Sequence, residues 1–105
     1  MSMTNQRNST DAVEQEREQL RKEISLAEDL KSLQEDERFK RVFSEELLDK
    51  VVKYETGQLI SGNEIIREVA LEKIKAAKYL EAFMDYVLTV GEGAKADLVN
   101  GDTND

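Results

Sequence analysis

Carboxylates and lysines are the groups in this chain with chemistry to offer. Asp and Glu number 23 against 15 Lys and Arg, and His, Cys and Trp are absent. Without them there is no imidazole proton shuttle, no thiolate nucleophile and no soft metal ligand. The adjacent acids Glu35-Asp36-Glu37 and Glu45-Glu46 could in principle work as acid and base or hold a cation. Neighbouring side chains on a helix diverge, however, and no sequence feature supplies the desolvated pocket that would split their pKa values. They read as solvated helical faces. Gly101-Asp102-Thr103-Asn104-Asp105 has the start of a calcium loop without the distal glutamate, and Gly91-Glu92-Gly93-Ala94-Lys95 lacks the Lys-Ser/Thr ending and the preceding strand of a phosphate loop. No catalytic, cofactor-binding or metal-ligating residue is therefore assigned, and neither an enzyme nor a small-molecule substrate is expected.

The chain must hold such groups on helices. It has no proline, and its five glycines lie between or after the apolar-periodic stretches, leaving 11–56 and 63–90 free of both helix breakers. The expected fold is all-α: three helices at about 11–34, 36–56 and 63–90, forming a helical hairpin or small bundle with disordered ends. In domain terms this is a disordered N-terminus (1–10), a single helical domain (11–92) and an acidic flexible tail (93–105).

Local signals place the boundaries. Ser9-Thr10-Asp11 with Glu14 reads as a helix start, and the pattern lapses at Gln34–Arg38, where Ser32-x-x-Glu35 or Asp36 could cap a second helix. Phe39, Val42, Phe43, Leu47, Val51 and Tyr54 then recur at spacings of three and four, a stripe expected in the core. Ser44 is a candidate restart, Gly57 a candidate left-handed cap, and Ser61-Gly62-Asn63-Glu64 a capping box opening the third helix. That helix has the widest apolar face, with Gly91 and Gly93 expected to stop it.

The first helix carries a thin stripe, Val13, Leu20, Ile24 and Ala27. It is the face the rest of the chain covers least, and hence the expected partner-binding surface. Arg67, Lys73, Lys75 and Lys78 could make an anion strip, but intermingled Glu64, Glu68, Glu72 and Glu81 favour a salt-bridged surface. Tyr54, Tyr79 and Tyr86 are expected at half-buried core edges, with interface anchoring as the alternative. Apolar groups are sparse enough that burial barely offsets conformational entropy. A protein partner, a second copy, or both are expected.

A net charge of −8 repels phosphate backbones and anionic lipids, so neither nucleic acid nor membrane is an expected direct partner. The absence of cysteine, of an apolar run long enough to span a bilayer and of a hydrophobic leader at residues 1–10 leads to an expected cytoplasmic location.

The run Glu35 to Leu48 (EDERFKRVFSEELL), followed by EIIREVALEKIKAAKYLEAFMDYVL over Glu64 to Leu88, resembles small acidic helical proteins encoded by tailed bacteriophages. In that group an acid before Arg-Phe and a late Tyr-Leu…Phe helix recur. The resemblance implies a role in virion assembly or structure, in host cytoplasm or virion, or binding to a host machine; the acidic C-terminus departs from scaffolding proteins that end in a basic hook. The leading expectation is thus a non-enzymatic, oligomeric helical interaction protein. The alternative is an acidic inhibitor that imitates nucleic acid and blocks a basic site on a polymerase, nuclease or defence complex.

Overall fold

The computed structural model describes the backbone of residues 2–104 and the side chains of residues 11–101. The N-terminus expected to be disordered, 1–10, lies outside the described side chains; of the tail expected to be flexible, 93–105, the side chains of 93–101 are described. The described backbone is helical, in the order α1 (Ser2–Glu35), α2 (Glu37–Phe39), a π-helical segment (Lys40–Val51), α3 (Val52–Ser61) and α4 (Glu64–Asn104), and contains no strand. The all-α hairpin expectation is met.

The break near residue 35 is made by Asp36. Its backbone is extended, with φ −69° and ψ 130°, so the α1 ladder cannot continue through it. Its carboxylate accepts the Arg38 backbone N–H at 2.8 Å and the guanidinium at 3.2 and 3.0 Å. That makes it an N-cap with its own counter-charge. Ser44 makes no break and lies inside the π-helical segment, whose turns are wider than those of an α-helix.

The π winding corrects the expected core stripe. Residues of one face recur at four and five rather than three and four, so the stripe of Phe39, Val42, Phe43, Leu47, Val51 and Tyr54 divides. Phe39 and Leu47 are half-buried, while Val42, Phe43, Val51 and Tyr54 are exposed. The wider turns rotate the helix beyond them, and Glu55 rather than Tyr54 is the buried residue of α3.

Three glycine and cap assignments change as well. Gly57 lies within α3, and the chain turns at Gly62, where the backbone is extended. A Cβ on Gly62 would meet Ile66 Cγ2 at 2.5 Å and the Gln58 carbonyl at 2.6 Å. The α4 cap is Asn63, whose Oδ1 accepts the Ile66 amide at 3.0 Å, while the Ser61 hydroxyl donates back to the Gly57 carbonyl at 2.8 Å. Gly91 and Gly93 do not stop α4, which runs on to Asn104.

The chain divides into two units, Met1–Leu30 with Val87–Asp105, and Lys31–Tyr86. In the first, a methyl added at Gly91 would overlap the Cβ of Ala27, and the Glu23 carbonyl is 3.4 Å away. Val13 and Leu20 face Leu98 and Gly101 across a shallow cleft, so the two helical segments run antiparallel. Ala27, Ala94 and Val87 are buried here. Gly91 therefore permits close approach of two helices, and its glycine character serves packing rather than termination.

In the second unit the run from α2 through α3 folds back on the first half of α4. Ala70, Ala77 and Met84 are buried, and the Gln34 side-chain amide donates to Met84 Sδ at 3.6 Å. Among the described residues no large side chain is fully buried, and no helix is long and apolar enough to cross a membrane.

Candidate protein-docking surface

The expected partner face on α1 is largely taken by the chain itself. Ala27 is buried against Gly91, Leu20 and Ile24 are half-buried, and only Val13 is exposed. The cover comes from α4, which does not end at Gly91 but runs on to Asn104.

Uncovered apolar surface is instead concentrated on the Lys31–Tyr86 unit. Between the π segment with α3 on one side and α4 on the other lies an open groove of about 710 Å³, with Leu47, Val51 and Tyr54 facing Ala76, Ala77 and Leu80. Toward the turn its wall continues through Ile65, Ile66 and Val69. The π winding leaves Val51 and Tyr54 on the groove's lip, and Tyr54 is 64% exposed.

One charge pair sits in this apolar groove. Glu55 is only 6% exposed and accepts a hydrogen bond from Lys73 Nζ at 3.3 Å, across from α3 to α4. A buried carboxylate without such a donor would bear its full desolvation cost, so the pair ties the hairpin together while its lysine half stays open to water. At the mouth, Lys50 Nζ donates to Glu46 Oε1 at 2.8 Å, and that hydrogen bond raises the lysine pKa. Both groove lysines therefore have an acid beside them.

A second apolar patch surrounds the break at Asp36. The Phe39 and Phe43 rings stack tilted with centroids 4.9 Å apart, and exposed Leu33 and Val42 flank them. Asp36 itself is held well below the usual carboxylate range, at about 2, chiefly by its hydrogen bond to the Arg38 side chain.

The lysine cluster behaves as a salt-bridged surface. Lys75 meets Glu72 at 3.6 Å and Lys78 meets Glu81 at 3.8 Å, whereas Lys73 finds Glu55 on another helix, a partner that sequence spacing did not indicate. The tyrosines correct their expectation: Tyr54, Tyr79 and Tyr86 are 64, 73 and 64% exposed, in water rather than at a half-buried core edge. Among the described residues no three acidic side chains converge as a metal site would require.

Comparison of the chain with family models, with curated proteins and with solved structures finds no match.

Proposed function

We propose that this protein is a non-enzymatic helical docking module, working by protein–protein association in virion assembly or structure. The observation that carries the reading is uncovered surface. Val51, Tyr54, Ile65 and Val69 stand exposed around one groove. Aromatic and aliphatic side chains around a concave surface suit an amphipathic helix laid into it.

The virion setting rests on the resemblance of residues 35–88 to small phage proteins. Imitation of nucleic acid has weaker support, because acids alternate with lysines that neutralise them, as in Glu46–Lys50, Asp49–Lys53 and Glu72–Lys75.

Affinity capture from infected or producing cells tests the proposal, comparing the wild type with Val51→Glu/Tyr54→Glu. The expected catch is a capsid, portal or tail component, retained at high salt and lost by the variant. Capture limited to nucleic-acid enzymes, released by salt and unchanged in the variant, overturns it in favour of the mimic.

A further inference from the structure

Glu55 is the buried charge of the groove, and only half of its carboxylate is engaged. Oε1 accepts the Lys73 ammonium at 3.3 Å, whereas no donor among the described residues reaches Oε2, and that oxygen is not sealed from solvent. The residue as a whole is only 6% exposed, and it lines both the main groove and its continuation toward the turn. Its free oxygen therefore opens into the groove. The acids at the mouth, such as Glu46, keep their water and gain little from a further cation. An acceptor stripped of most of its water between apolar walls gains much more from one.

We propose that the groove takes a helix of another protein that is apolar along its docking face except for one arginine, whose guanidinium donates to Glu55 Oε2. The inference rests on the reading of the protein as a docking module and adds the chemistry of its partner. Charge selects a basic side chain over an acidic one. Lys50 and Lys73 already face Glu46 and Glu55 at 2.8 and 3.3 Å, so neither offers a lone cation to a partner's carboxylate. Glu68, exposed where the α4 wall runs on past Val69 and Lys73, pairs with no cation among the described residues. The unneutralised charge around the groove is negative, as is the chain at a net −8, and a basic segment is drawn toward it.

Arginine rather than lysine follows from the burial of the acceptor. An ammonium is compact and strongly hydrated, whereas a guanidinium sheds its water more readily and carries its donors in a planar fork. The arginine stem can pack along Val51 and Leu80, and its plane can lie against the Tyr54 ring at the lip. That gives the exposed ring beside a buried acid a role in recognition. With Lys73 on one oxygen and arginine on the other, the carboxylate is paired on both sides.

Fluorescence anisotropy with synthetic peptides of about five helical turns tests this on the full chain. The peptides share one leucine face and differ only at its central position, which is arginine, glutamine or glutamate. The arginine peptide should bind about tenfold tighter than the glutamine peptide, the fold-change of one hydrogen bond to a charged group, and the glutamate peptide should bind most weakly. Glu55→Gln should abolish the arginine preference, whereas Glu81→Gln, which removes the same charge outside the groove, should keep it. A second reading needs no variant: the Glu55 carboxyl resonance of the wild type should move with the arginine peptide and stay in place with the glutamine peptide. Equal affinity for those two peptides, a preference that survives Glu55→Gln or is lost equally in Glu81→Gln, an unmoved carboxyl resonance, or no binding by any peptide overturns the proposal. The docking reading is judged separately, by capture on Val51→Glu/Tyr54→Glu, so the two failures are distinguishable.

Discussion

The two units solve the same problem, covering one helix with another, in opposite ways. In the unit of residues 1–30 and 87–105 the helices approach through small groups: Ala27, Gly91 and Ala94 are buried where the backbones come close. In the Lys31–Tyr86 unit, the hairpin is held by Ala70 and Ala77 together with the Glu55–Lys73 pair, while large side chains such as Tyr54, Ile65 and Phe83 remain in water. Close approach of small residues leaves little for a partner to add. A hairpin with its large side chains outside is unfinished, and a surface made of such side chains is what association buries most favourably.

The largest test of that contrast is Gly91→Leu. Overlap with Ala27 and the Glu23 carbonyl should cost about 3 kcal/mol, read as a lower midpoint in chemical denaturation. Ala27→Gly should recover part of the loss when the smaller Gly91→Ala is used in a double-mutant cycle. Recovery of nothing would mean that the two residues do not share a contact.

Next in size is Lys73→Met, which leaves Glu55 buried without its donor. The expected loss is about 2 kcal/mol. Glu55→Met/Lys73→Met, replacing both partners, should restore stability to near the wild type, since a buried pair exchanged for apolar groups is often neutral. If the double variant is no better than the single one, the pair is not what joins α3 to α4.

Gly57→Ala and Gly93→Ala should do the reverse of Gly91→Leu. Both glycines are inside helices with open space at the missing Cβ, so alanine should stabilise by up to about 1 kcal/mol through helix propensity. A loss at Gly93 would argue that α4 ends there after all.

The smallest effect concerns the break at Asp36. Its folded pKa of about 2 lies below the ordinary 3.8, so its contribution is present above 3.8 and is lost as pH falls through about 2. A carboxyl titration by NMR should find the depressed value, Arg38→Gln should move it toward the ordinary one, and Asp36→Asn should keep the cap while removing this pH dependence.

Much of this was legible in the chain. Proline-free windows and three- and four-residue spacing sufficed for three helices, the lapse at Gln34–Arg38 marked a real break, and the turn near Gly62 was found, although its cap is Asn63 rather than Ser61. The docking face was less legible. The stripe Val13, Leu20, Ile24 and Ala27 read as the one the chain covers least, yet Ala27 is buried against Gly91, and glycine looks alike in sequence whether it ends a helix or admits a neighbour. The exposed tyrosines were signalled by type but not by placement. The π winding that put Val51 and Tyr54 on the groove's lip had no signal in an apolar period that fits an α-helix equally well.

Sequence alone determined that the chain is helical, acidic, free of imidazole and thiol chemistry, and poor in apolar groups, because each of these follows from residue type and local spacing. Tertiary structure alone decided which face is left uncovered. Coverage depends on where a distant segment of chain comes to rest: Gly91 on Ala27, and Lys73 on Glu55 eighteen residues away. Such contacts are set by the complementarity of two surfaces, which neither segment carries by itself.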